Sequence, residues 1–205
     1  KRVFRSAIDR GTDGTGLFGF RLQRHSFDFF LQKLAVLFPE GQSERKRLTA
    51  AFGETLFIHL TRGDKIGQAV SWVRAQQSGL WHRAPDGSEL ERLSEPRTLA
   101  YDREAIATNY DRFLAYDRDW WDWFAQSGIA PLEITYESLS ADPQAALRAL
   151  LDHLGVDAQA ANGVVPGTAK LADATSRDWA ARFARDLAIR KDTSTWPGAQ
   201  KDGPP

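Results

Sequence analysis

The chain has 205 residues, 42% of them apolar and 26% charged, and its 27 Lys and Arg balance its 27 Asp and Glu. That length suits one domain with a real core, and a neutral chain lacks the overall basic footprint of most nucleic-acid binders. With no cysteine, disulfides, thiolate metal sites and a cysteine nucleophile are all excluded. No apolar run reaches the length of a membrane span and no signal-peptide pattern opens the sequence. The expected location is therefore cytoplasmic, with no membrane span and no nucleic acid as partner. The sequence opens on Lys1 and contains no methionine, so a natural front is expected to precede it.

Gly11, Gly14 and Gly16 read as a turn feeding a strand over Leu17–Leu22. Phe27, Phe30, Leu31, Leu34, Ala35 and Phe38 then recur at three- and four-residue steps, the face of a helix ending before Pro39. A short polar helix is expected over 42–51. Thr55–Thr61 reads as a buried strand, and Arg62-Gly63-Asp64 closes it. A helix follows with Ile66, Ala69, Val70 and Val73 inward and Gly79 as its stop. Residues 80–100 show little periodicity and are expected to form a long loop of the lid or binding kind.

Ile106, Tyr110, Phe113, Trp120 and Phe124 define a long helix. Asp117 interrupts the stripe, so a kink or a water-facing spot is expected there. Leu132–Tyr136 reads as a third strand. Asp142 with Pro143 opens a helix striped by Leu147, Leu150, Leu151 and Leu154. Thr175–Asp178 resembles a capping box for a last helix carrying Trp179, Phe183 and Leu187. Alternating strands and helices give an α/β class with a mainly parallel sheet.

Ligands of open α/β sheets bind outside the carboxyl ends of the strands. That rule selects Arg62 and Tyr136, with Ser71 on the helix after Arg62. A guanidinium beside a hydroxyl suits a phosphate. The start of the last helix near Ser176, with Lys170 and Arg177 close by, is a second anion-suited place. Two such places on one sheet edge point to a nucleotide with more than one phosphate group. Each residue also has a bland reading: Arg62 paired with Asp64, Ser71 on a helix surface, Tyr136 in the core, Lys170 solvated. The Gly11–Gly16 stretch precedes its strand, unlike a dinucleotide fingerprint, and no GxxxxGK[ST] or HExxH motif is present. His25, His59, His82 and His153 have no ligand spacing, so no metal is expected.

The segment Arg62-Gly63-Asp64-Lys65-Ile66-Gly67-Gln68-Ala69-Val70-Ser71 and its continuation to Trp81 are similar to the bacterial trehalose 2-sulfotransferase family. Gly19–Leu22, Gly128–Leu132, the Tyr136-Glu137-Ser138-Leu139 tetrad and Lys170–Trp179 extend the resemblance to about Arg190. It implies a P-loop-like sulfotransferase fold with a parallel sheet flanked by helices, over residues 1–190; the polar, Pro- and Gly-rich stretch 191–205 is expected to be a flexible tail. It implies 3′-phosphoadenosine-5′-phosphosulfate (PAPS) as donor, 3′-phosphoadenosine-5′-phosphate as product, and a small carbohydrate as acceptor. Arg62 and Ser71 would grip the 3′-phosphate, Tyr136 would lie near the adenine, and Lys170–Arg177, including Ser176, would close over the phosphate. Arg21 falls where the family has a lysine near the active centre. Trp81 and His82 are expected acceptor contacts. The family's phosphosulfate loop and general base precede the part matched here, so both are expected upstream of Lys1. A homodimer is also implied. Other readings are an inactive nucleotide-binding fragment, another nucleotide-dependent group transferase, and an interaction module docking through the Trp-rich helix at 110–124.

Overall fold

The computed structural model describes residues 1–41 and 43–194. They form a mixed α/β fold with a parallel sheet flanked by helices. In chain order come helices α1 (Arg2–Thr12), α2 (Arg24–Leu37) and α3 (Glu44–Phe52), strand β1 (Ile58–Thr61) and helix α4 (Lys65–Ser78). Strands β2 (Leu80–Arg83) and β3 (Glu89–Arg92), helix α5 (Arg103–Ser127) and strand β4 (Leu132–Thr135) follow. Helices α6 (Tyr136–Ala141), α7 (Pro143–His153) and α8 (Ala174–Ser194) complete the order, with a 3₁₀ turn at Ala158–Ala161 before α8. Helix α8 thus runs four residues into the expected tail, and 195–205 lie outside the described residues. β1 pairs with β4, and β2 pairs antiparallel with β3.

Contacts divide the chain into two compact units, one of Lys1–His59 with Tyr116–Glu133, the other of Leu60–Ala115 with Ile134 onward. The first is built on the predicted α2 stripe. Phe27, Leu31 and Leu34 are buried with Leu48 of α3, and Phe27 meets Trp120 and Trp123 at centroid distances of 4.6 and 4.8 Å. Residues 17–22 are not a strand. Their alternating rings are drawn into an aromatic cluster: Phe18 lies 5.9 Å from Phe52, and Phe20 lies 5.3 Å from Phe30. Ring contacts take the place of sheet pairing here, although Phe20 stays more than half exposed.

The second unit is centred on α4 and α8. Val70 and Val73 of α4, Ile106 and Phe113 of α5, and Trp179 and Phe183 of α8 are all buried. Asp64 caps α4 by accepting from the Gly67 N–H at 2.7 Å. Gly79 ends α4 at φ 71°, and a Cβ there would meet the Ser94 carbonyl at 2.0 Å, so this close approach requires glycine. Asp142 caps α7 through the Ala145 N–H with Pro143 at the first position, as the sequence predicts.

Five details differ from the sequence reading. The 80–100 segment holds a hairpin, closed by Ala84-Pro85-Asp86-Gly87-Ser88 with the Ala84 N–H on Ser88 O at 2.8 Å. β1 is not fully buried: Ile58 and Leu60 are exposed while His59 is 5% exposed. Tyr136 does not end a strand but starts α6, because the Thr135 hydroxyl accepts from the Ser138 N–H and caps a helix. The cap of α8 is Asp173, not Thr175, since Asp173 accepts from the Ser176 N–H at 2.9 Å. α5 runs unbroken through a half-buried Asp117.

Candidate functional site

The turn after β1 is held from α6. The Glu137 carboxylate accepts from the backbone N–H groups of Gly63 at 3.2 Å and Asp64 at 3.1 Å. These bonds, Asp64's first, hold the Glu137 carboxyl below its usual range, with the Arg62 charge adding to them. The clamp leaves the Arg62 guanidinium 4.6 Å from the centroid of the Tyr136 ring and 3.4 Å from Asp64. Gly67 makes room for this arrangement. A Cβ there would stand 2.0 Å from Asp64 Oδ2 and 2.9 Å from Arg62 Nη2. The Arg62–Asp64 pair is therefore real, yet it leaves Arg62 Nε buried without a hydrogen-bond partner. Arg62 and Tyr136, both selected at strand ends from the sequence, are thus brought together.

A second feature lies in the same unit. A cavity of about 380 Å³ is lined by Ser71, Lys170 and Ser176, three of the residues selected from sequence. Arg62, Tyr136 and Arg177 are not among its lining residues. Its further cations are Arg74, Arg83 and Arg92. Arg74 makes a two-pronged bond to Asp173, at 2.7 and 2.9 Å, and also reaches the Ser176 hydroxyl. This guanidinium, with the Ser176 N–H, lowers the Asp173 pKa to about 2. The Arg74 Nε is buried and unpartnered. An unmet buried donor in a cationic cavity beside two hydroxyls fits a phosphate group. The residues present therefore fit the phosphate end of the nucleotide expected from the sequence.

The remaining candidates lie elsewhere. Trp81 stands edge-on to Trp72 at 4.9 Å, and His82 bonds to Glu91 across the hairpin, and neither lines the cavity. Arg177 is exposed on the first turn of α8, and Arg21 is exposed in the loop before α2. Among the described residues, no three His, Cys, Asp or Glu side chains converge as metal ligands, and no helix is long and apolar enough to cross a membrane. Sequence reasoning missed Arg74, although its three-residue step from Ser71 puts both on one helical face. It missed Arg83 and Arg92 because only the hairpin brings them to the cavity wall.

A family model of Stf0 sulphotransferases matches residues 1–186. Over 176 residues the chain is 30% identical to the trehalose 2-sulfotransferase of Mycobacterium tuberculosis (strain Erdman), an alignment covering 84% of this chain and 62% of that protein. Over 152 residues it is 29% identical to the trehalose 2-sulfotransferase of Mycolicibacterium smegmatis, covering 74% of this chain and 49% of that one. The chain thus spans less than two thirds of either relative's length. On the match over residues 1–186, the chain belongs to the Stf0 sulphotransferase family.

Proposed function

We propose that this chain binds PAPS and serves transfer of its sulfuryl group to a carbohydrate hydroxyl. The observation that carries the reading is the Arg62 guanidinium lying over the Tyr136 ring with a buried, unsatisfied Nε. When bound, the nucleotide supplies an activated sulfuryl group for in-line displacement by the acceptor oxygen.

In this reading the chain's own residues bind and orient. Arg62 meets phosphate oxygens through its free donor edge, and Ser71 adds a hydroxyl donor. Tyr136, already stacked with a cation, offers its ring to the adenine. Lys170, Ser176 and Arg177 close the phosphate end, and Trp81 and His82 are held in reserve for the acceptor. Arg21 is a cation for the transferred group. The name of the relatives makes trehalose the first acceptor to try. A cytoplasmic homodimer without a metal cofactor goes with the same reading.

The test is calorimetric titration of 3′-phosphoadenosine-5′-phosphate against 5′-AMP. The bisphosphate is expected to bind preferentially. Arg62→Ala should weaken it by roughly ten- to more than a hundredfold, since a hydrogen bond to a charged group is worth about 1.5–3 kcal/mol. Equal binding of the two nucleotides would favour a different group transferase, and unchanged affinity in Arg62→Ala would remove that residue from the site.

A further inference from the structure

The cavity beside α4 and α8 carries an unbalanced charge. Four cations line it, Arg74, Arg83, Arg92 and Lys170, against the two carboxylates of Glu89 and Asp173. The carboxylates are both taken. Asp173 is bound by Arg74 through both oxygens. Glu89 is bound by Arg92 through both oxygens, with Nε to Oε2 at 2.6 Å. Those two pairs cancel. The two remaining cations, Arg83 and Lys170, form no ion pair among the described residues, although Arg83 stands opposite Glu89 in the hairpin and its charge adds to that of Arg92 in lowering the Glu89 carboxyl. They are also held next to one another in the chain's architecture. The Ala169 N–H donates to the Arg83 carbonyl at 2.8 Å, tying the segment that carries Lys170 to strand β2. Ser71, Ser78 and Ser176 add hydroxyls to the same wall.

Two free cations with hydroxyl donors complement a group carrying two negative charges on one centre. A phosphate monoester near pH 7 is such a group, with three terminal oxygens to accept bonds. Arginine's planar fork engages two of those oxygens where lysine engages one, so Arg83 is the more discriminating of the pair. We infer that Arg83, presented by the β2–β3 hairpin, is a specificity-determining residue that admits a phosphate monoester to this cavity. The inference rests on the reading above when the ligand is named as a 3′-phosphorylated nucleotide, but its charge argument does not. The hairpin thereby brings a cation from outside α4 and α8 to the anion, where the helices' own arginine is spent on Asp173.

The experiment uses the full chain and two probes. Inorganic phosphate is titrated while the backbone amide resonances of residues 80–92 are followed, in the wild type and in Arg83→Gln and Arg83→Lys. Nucleotide binding is measured in parallel with 3′-phosphoadenosine-5′-phosphate and 5′-AMP. Arg83 is exposed, so an unchanged melting temperature is expected in both variants. Phosphate should shift the hairpin resonances in the wild type and not in Arg83→Gln. Bisphosphate affinity should fall roughly ten- to hundredfold in Arg83→Gln and less in Arg83→Lys, and 5′-AMP, whose single phosphate monoester is at the 5′ position, should lose less than the bisphosphate. If the wild type prefers the bisphosphate and Arg83→Gln keeps that preference, the inference falls and the sulfotransferase reading stands. If phosphate shifts the hairpin through Arg83 but the nucleotides bind alike, the inference stands and that reading falls. If phosphate and bisphosphate both leave the hairpin unmoved, the inference is overturned.

Discussion

Glu137 holds the Arg62 turn without belonging to it. Its carboxylate takes two adjacent backbone N–H groups that would otherwise bind water or an anion. The consequence is a turn fixed with the Arg62 guanidinium over Tyr136. A glutamine in its place keeps one carbonyl acceptor but turns an NH₂ donor toward the second N–H, so one of the two bonds is lost. Glu137→Gln is therefore expected to weaken bisphosphate binding several-fold, an order-of-magnitude figure for one lost charge-assisted bond. The pH response separates positioning from simple damage. A carboxyl held below its usual range keeps its clamp above that range and releases it as pH falls through its own lowered pKa. Wild-type affinity should carry a decline on the acid side that Glu137→Gln lacks, over and above the ligand's own titration. Identical acid limbs in the two proteins would show that the clamp does not govern Arg62.

At the level of elements, the start of α8 is fixed twice, by the Asp173 cap on Ser176 and by Arg74 reaching across from α4. Asp173 sits at about 2 against an ordinary 3.8. A lowered folded-state pKa means stability that is fully present above the unfolded value and is lost as pH falls through the folded one. Asp173→Asn should unfold at lower temperature than the wild type near neutral pH, and the gap should close between about pH 4 and pH 2. A gap independent of pH would mean that the Arg74 pair contributes nothing. The side chain of Asp173 is about half exposed, so the gap itself is expected to be small. The same helix shows what local pattern reveals and what it hides. Its buried face, Trp179 and Phe183, is visible in the spacing, but Asp173 and Thr175 are equally good caps on paper, and it is Asp173 that accepts from the Ser176 N–H while Arg74 holds it from α4. The hairpin was concealed for a different reason. Its strands are four residues each, with most of their side chains exposed, so no alternation betrays them. The Pro85-Asp86-Gly87 turn was the one visible mark. Residues 17–22 failed in the opposite direction: alternation was present, but it served ring packing against Phe30 and Phe52.

For the whole molecule the governing quantity is charge. With 27 basic and 27 acidic residues the chain has no net field to draw anions from a distance. This balance was legible from composition and argued against the overall basic footprint of a general polyanion binder. It could not show that two uncancelled cations are gathered at one cavity, since that depends on which arginines are spent in pairs. Attraction for a nucleotide must then be short in range. The Debye length shrinks from about 10 Å at 0.1 M salt to about 3 Å at 1 M, and exposed cations such as Arg83 and Lys170 feel that screening more than Arg62, whose side chain is 21% exposed. Bisphosphate affinity is expected to fall by roughly tenfold as salt rises from about 0.1 to about 1 M. In Arg83→Gln that salt dependence should be shallower, while in Arg62→Ala the slope should remain although the affinity is lower. Duplex DNA, which rewards an extended basic face, should bind weakly at every salt concentration in this range. A steep salt dependence that survives Arg83→Gln would place the governing charge outside the cavity, and tight DNA binding would contradict the neutral field on which the local account depends.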